Sequence, residues 1–115
     1  MQTILILDDD PAVAACLAYK LNTRYKVKIV RRYSEAVNIL SSGDQIDLVI
    51  SDYNLTENFT GQDLVKHIKK VRPDLPVIIC TGEQHVNSVP GASAFLRKPV
   101  SIEDLLEAVE KFLAK

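Results

Sequence analysis

The run "ILILDDDPA" (residues 4–12) joins four apolar residues directly to three aspartates and a proline. Its first half is apolar at every position, not every second one, the pattern of a strand buried on both faces. Its second half sets three like charges at the end of that strand. A polar turn that happens to be acidic would account for the charges alone, so their meaning depends on what the fold brings beside them. Pro11 suits the first turn of a helix, and Asp10, directly before it, reads as that helix's cap and not as a ligand.

Outward from this stretch the same kind of run recurs. "TILIL" (3–7), "VKIV" (27–30), "IDLVI" (46–50), "PVIIC" (76–80) and "SAFL" (93–96) are the five expected strands. Helical spacing fills the intervals. Val13, Cys16, Leu17 and Leu21 mark one helix. Ser34 is expected to cap a short second one through Leu40, closed by Gly43. Leu64, Val65, Ile68 and Val71 mark a third, stopped by Pro73. Ser101 caps a last helix with an apolar stripe of Ile102, Leu105, Leu106, Val109, Phe112 and Leu113. Alternating strands and helices imply an α/β fold, a doubly wound parallel sheet of the flavodoxin-like order 2-1-3-4-5.

One interval breaks the alternation. Between the fourth and fifth strands stands "GEQHVNSVPGAS" (82–93), twelve residues with two glycines and a proline. A helix of about three turns does not fit there, and Pro90-Gly91 signals a turn. The fourth helix of the alternation is therefore expected to be missing or cut to about one turn. The sheet face beside strands 4 and 5 is then expected to be thinly covered.

Bulk properties exclude several classes. The chain has 115 residues and a net charge of −1, the size of one domain (1–115) with no footprint for nucleic acid or an anionic membrane. Basic groups at Lys26, Lys28, Arg31 and Arg32, and at Lys66, Lys69, Lys70 and Arg72, read as solvated faces. Cys16 and Cys80 lack Cys-x-x-Cys spacing and read as small buried hydrophobes. His67 and His85 have no metal-ligand spacing with either. The first apolar run is too short for a signal peptide, and no stretch approaches the ~20 residues of a membrane helix. These readings predict a soluble, cytoplasmic domain.

In an order 2-1-3 sheet, ligands bind at the crevice beyond the carboxyl ends of strands 1 and 3. Asp8, Asp9 and Asp10 leave strand 1, Asp52 follows strand 3, Thr81 ends strand 4 and Lys98 ends strand 5. Crowded carboxylates repel unless compensated, and an all-oxygen site with open positions suits Mg²⁺. A divalent cation, a hydroxyl and an ammonium are what phosphoryl transfer requires. Asp52, alone opposite the acidic pair, is the expected nucleophile, since carboxylates form aspartyl-phosphates.

"ILILDDDP", "DLVISDYNL", "PVIICTG" and "GASAFLRKP", in that order and at strand ends, resemble the receiver domain of two-component response regulators over essentially the whole chain. The resemblance implies that Asp52 takes a phosphoryl group from a phosphohistidine of a histidine kinase or histidine phosphotransfer protein. It implies Mg²⁺ on Asp8, Asp9, Asp52 and the main-chain carbonyl of Asn54. Thr81 and Lys98 would bind the phosphoryl group, Phe95 would be the aromatic switch, and Lys98-Pro99 would be cis. Asn54 and Glu83, each two residues beyond a site residue, resemble the pair that tunes dephosphorylation in fast-cycling chemotaxis receivers. The domain would be a monomer or weak dimer, and no enzyme beyond self-phosphorylation and slow autophosphatase action. The "DYNL" and "CTGE" contexts resemble receivers attached to hybrid sensor kinases. The chain departs from the family pattern at Thr56, where proline is frequent, and in the short 82–93 segment. Two other classes stay open. Asp8-x-Asp10 faintly resembles haloacid-dehalogenase-type phosphotransferases, whose nucleophile would be Asp8, and a receiver-like module could act by interaction without phosphorylation.

Overall fold

A computed structural model describes residues 1–113. The elements are β1 (Thr3–Leu7), α1 (Pro11–Leu21), β2 (Lys26–Val30), α2 (Tyr33–Ser41), β3 (Leu48–Asp52), α3 (Gly61–Val71), β4 (Val77–Thr81), β5 (Ala94–Arg97) and α4 (Ile102–Leu113). All strand pairs are parallel, in the order β2-β1-β3-β4-β5.

Period-two alternation divides the apolar strand residues between two cores. Leu5, Leu7, Val49, Val77 and Ile79 pack against α2 and α3, while Ile4, Ile6, Leu48, Ile50, Ile78 and Cys80 pack against α1 and α4. That explains why β1, β3 and β4 read as unbroken apolar runs: each face of the sheet has its own layer of helices. Burying each such Leu or Ile contributes about 1.5–3 kcal/mol. The register aligns the carboxyl ends, pairing Leu7 with Ser51 and Asp52 with Cys80. The residues just beyond those ends are therefore forced together.

The interval between β4 and β5 contains no helix, as its composition predicts. It runs as an extended strap with turns closed by Val86 N–H to Glu83 O (3.2 Å) and Ala92 N–H to Val89 O (3.0 Å). Its cover is better than expected over β4. Val89 is 5% exposed, Val86 and Ala92 pack beside it, and Val77 and Ile79 are fully buried beneath. The turns of the strap bring Val86, Val89 and Ala92 onto the same core that a helix stripe would cover. Only β5 is thinly covered, with Phe95 partly exposed.

Other expectations need correction. Helix α2 starts at Tyr33, with Arg32 at its N-cap, so Ser34 lies inside the first turn. The orphan amides there are met from elsewhere: Arg32 N–H by Glu35 (3.1 Å), Tyr33 N–H by Thr56 Oγ1 (3.0 Å) and Ser34 N–H by Glu57 (3.1 Å). Cys16 is exposed, because it lies on the face of α1 turned away from the sheet, whereas Cys80 is buried. Arg72 is not a solvated charge; its guanidinium donates to the carbonyls of Leu40 (2.9 Å) and Ile39 (3.4 Å) at the end of α2. Asp10 does cap α1, accepting from Ala12 N–H at 2.9 Å. Ser101 likewise caps α4 through Asp104 N–H at 3.0 Å.

Candidate functional site

The carboxyl ends of β1, β3, β4 and β5 bring the scattered residues to one edge. Asp8 is 2% exposed. One of its oxygens accepts from Asp10 N–H (2.9 Å) and the other from Lys98 Nζ (3.0 Å). Lys98 Nζ also lies 3.5 Å from Asp52 Oδ2. The other oxygen of Asp52 accepts from Tyr53 N–H at 2.7 Å. Asp8, Asp9 and Asp52 each present a carboxylate oxygen, all within 4.8 Å of one another. Lys98 reaches this cluster from the end of β5, and the Lys98-Pro99 bond is cis.

The electrostatics follow from this crowding. Burial, and then the negative charge of Asp8, push the Asp52 carboxyl above its ordinary value, and Lys98 only partly offsets them. Burial works against the Lys98 ammonium, yet its hydrogen bond to Asp8 and the charges of Asp52 and Asp8 prevail, so its value is raised. The thiol of Cys80, under the site, is pushed up to about 12, chiefly by burial.

Around the cluster, Thr81 is 1% exposed and its hydroxyl accepts from Glu83 N–H at 3.0 Å. Asn54 Nδ2 donates to Glu83 Oε2 at 3.3 Å, bridging the loops after β3 and β4. Phe95 stands apart from the carboxylates, on the face of β5 under the strap, with the Arg97 guanidinium 5.3 Å from its ring centroid. The structure thus gathers Asp8, Asp9, Asp52 and Lys98 directly and joins Asn54 to Glu83, while Phe95 is reached only through the strap. A groove of about 630 Å³ runs beside the cluster between α1 and the turn after β5, lined by Ala12, Val13, Cys16 and Val100 with Lys98 at its edge.

Sequence reasoning singled out Thr56 only as a departure from the family pattern and missed that Thr56 and Glu57 accept from the first amides of α2. The loop they occupy turns through Glu57 and Asn58, both at positive φ (63° and 65°) without being glycine; asparagine favours that region, but glutamate does not, so half of the turn goes unannounced. Arg97 was also missed, although period-two alternation on β5 places it on the same face as Phe95.

A parallel 2-1-3-4-5 sheet with acidic residues and a lysine at its carboxyl edge defines a class, and comparison with known proteins identifies it. Residues 4–110 match the family model of the response regulator receiver domain, and the chain belongs to that family. It is 34% identical to the transcriptional regulatory protein GlrR of Escherichia coli, over 96% of this chain and 26% of that protein. It is 32% identical to the DNA-binding transcriptional regulator NtrC of Rhizobium meliloti, over 98% of this chain and 24% of that one. The chain thus spans about a quarter of the length of these relatives. Among solved structures, a receiver domain protein from Clostridium thermocellum superposes with a TM-score of 0.90 at 29% identity, covering 98% of this chain and 94% of that one. The response regulator TrrA of Thermotoga maritima, solved in complex with Mg²⁺-BeF, gives 0.88 at 28% identity, covering 98% of this chain and all of that one. No helix among the described residues is long and apolar enough to cross a membrane.

Proposed function

We propose that this domain is a phosphoacceptor in a two-component phosphorelay, with Asp52 receiving the phosphoryl group from a phosphohistidine of a kinase or phosphotransfer protein. The observation that carries this reading is Asp52 itself: a carboxylate facing two others and an ammonium, with an oxygen not committed to a backbone donor. Its oxygen would attack phosphorus as the P–N bond breaks, the bonding pair returning to the donor imidazole. Lys98 would meet the charge on the transferred group, and the Thr81 hydroxyl would donate to it.

Mg²⁺ fits the donor set. Three carboxylates lie within 4.8 Å of one another with Lys98 as the ammonium beside Asp8 and Asp52, and burial, then the charge of Asp8, raise the Asp52 value despite that lysine. Asp8, Asp9, Asp52 and the carbonyl of Asn54 would hold the ion. When bound, it supplies positive charge to phosphoryl oxygens. A dehalogenase-type reaction at Asp8 is disfavoured, because that carboxylate is buried with both oxygens engaged. The named relatives are transcriptional regulators, so an output on DNA through further domains is the reading they favour over a hybrid sensor kinase.

The test is phosphorylation with Mg²⁺ from acetyl phosphate and from a panel of histidine kinases. The labile phosphate is then mapped by borohydride reduction and mass spectrometry. Label is expected at Asp52 and absent in Asp52→Asn; label on Asp8, or undiminished in Asp52→Asn, would refute the assignment.

A further inference from the structure

The strap at 82–93 has no helix to fix its carbonyls, yet it must hold Glu83 against Asn54 at the mouth of the acidic cluster. Gln62 holds the far end of the strap, donating to Pro90 O at 3.0 Å, and one side chain, Arg97, holds the main-chain carbonyls at the near end. Arg97 donates through Nη1 to Glu83 O and through Nη2 to Val86 O at 2.8 Å. These two residues also close the turn, Val86 N–H donating to Glu83 O. A guanidinium presents its donors as a rigid planar fork, so two carbonyls bound together are fixed in relative position as well as distance. Arg97 and Phe95 are two apart on β5, hence on the same face of the sheet, and the guanidinium lies over the Phe95 ring. Glu83 is meanwhile pinned to the site itself, its amide on Thr81 Oγ1 and its carboxylate on Asn54.

The geometry points to Arg97 as a positioning residue for hydrolysis of the phosphoform: it clamps the strap so that the Glu83 carboxylate and Asn54 amide stay together where water approaches Asp52. This inference rests on the phosphoacceptor reading above. In the step concerned, the water oxygen bonds to phosphorus as the P–O bond to Asp52 breaks. The bonding pair returns to the carboxylate; one water proton stays on the released phosphate and the other passes to bulk water. Arg97 touches none of these atoms. It acts only by keeping Glu83 in place.

The experiment measures the lifetime of the acetyl-phosphate-loaded phosphoform in the wild type, Arg97→Ala, Arg97→Lys, Glu83→Ala and the Arg97→Ala/Glu83→Ala double variant. Arg97→Ala is expected to lengthen the lifetime about three- to tenfold, short of the ~100-fold that a full 1 Å misplacement costs. Arg97→Lys should restore part of the loss, since one donor can return without the fork. In the Glu83→Ala background the Arg97 substitution should have no further effect. The Mg²⁺-dependent rise in melting temperature should match the wild type throughout. A wild-type lifetime in Arg97→Ala, additive effects in the double variant, or a lost Mg²⁺ response would overturn the inference and leave the phosphoacceptor reading standing. No label at Asp52 of the wild type would overturn both.

Discussion

Lys98 is the residue on which the charge balance of the site turns. It is the cation bonded to Asp8, and it lies within 3.5 Å of Asp52. Substituting Lys98→Met removes that charge while leaving Asp8 buried, and breaking a buried pair is costly because the survivor is left uncompensated. Lys98 retains 22% side-chain exposure, so water screens part of the effect, and the expected loss is about 1–3 kcal/mol without metal. Added Mg²⁺ should recover more stability in Lys98→Met than in the wild type, because lysine and metal neutralise the same carboxylates. Urea melts with and without Mg²⁺ check both statements; an equal or smaller Mg²⁺ response in the variant would count against a shared site. Asp9 is exposed and has no ion pair among the described residues. Asp9→Asn should therefore leave metal-free stability within about 0.5 kcal/mol, yet abolish the Mg²⁺-dependent rise in melting temperature.

At the level of elements, the loop between β3 and α3 is tied at both ends. At one end it caps α2. The Ser34 N–H, opposed in part by burial and then aided by Arg32, holds the Glu57 carboxyl below its ordinary value of 4.5. Because the folded value is the lower one, the unfolded chain binds more protons as the pH falls through this range, and acidification favours unfolding. The contribution is complete above the ordinary value and disappears as the pH drops through the folded one. Glu57→Gln should flatten that acid limb in denaturation midpoints taken from about pH 6 to about pH 3; an unchanged slope would separate Glu57 from the cap. At the other end, Gly61 opens α3 with its N–H on Tyr53 O at 2.6 Å. A methyl group there would meet Tyr53 Cα at 3.2 Å and Asp52 O at 3.3 Å. Both are backbone atoms that can yield only if the strand end bearing Asp52 moves. Gly61→Ala should cost about 1–2 kcal/mol, the overpacking outweighing the gain in helix propensity, and should shrink the Mg²⁺-dependent rise in melting temperature.

Across the whole molecule, what the sequence disclosed follows periodicity and charge. Sheet order, both cores and the edge that gathers Asp8, Asp52 and Lys98 came from apolar runs of fixed period ending in residues that repel unless compensated. The missing helix followed from twelve residues with Pro90 and Gly91. What stayed hidden involves side chains that reach main-chain groups far away in sequence: Glu57 on Ser34, Arg72 on Leu40, Arg97 on Glu83 and Val86. Such contacts repeat at no interval, and each residue looks like an ordinary surface charge. The strap can be checked by amide exchange. Glu83, Val86, Ala92 and Ser93 donate to protein acceptors and should be protected, while Gln84, His85, Asn87 and Ser88 should exchange at close to intrinsic rates. Uniform protection from 84 to 92 would instead mean that the segment is a helix.

The asymmetry between the two thiols gives this domain a built-in attachment point. Both thiols line the groove that ends at Lys98, but Cys80 is buried, its value pushed up to about 12, whereas Cys16 is exposed. One equivalent of a disulfide reagent should react quickly with the folded protein and the second only on unfolding. A fluorophore on Cys16 would then report events at the acidic edge without any engineered residue.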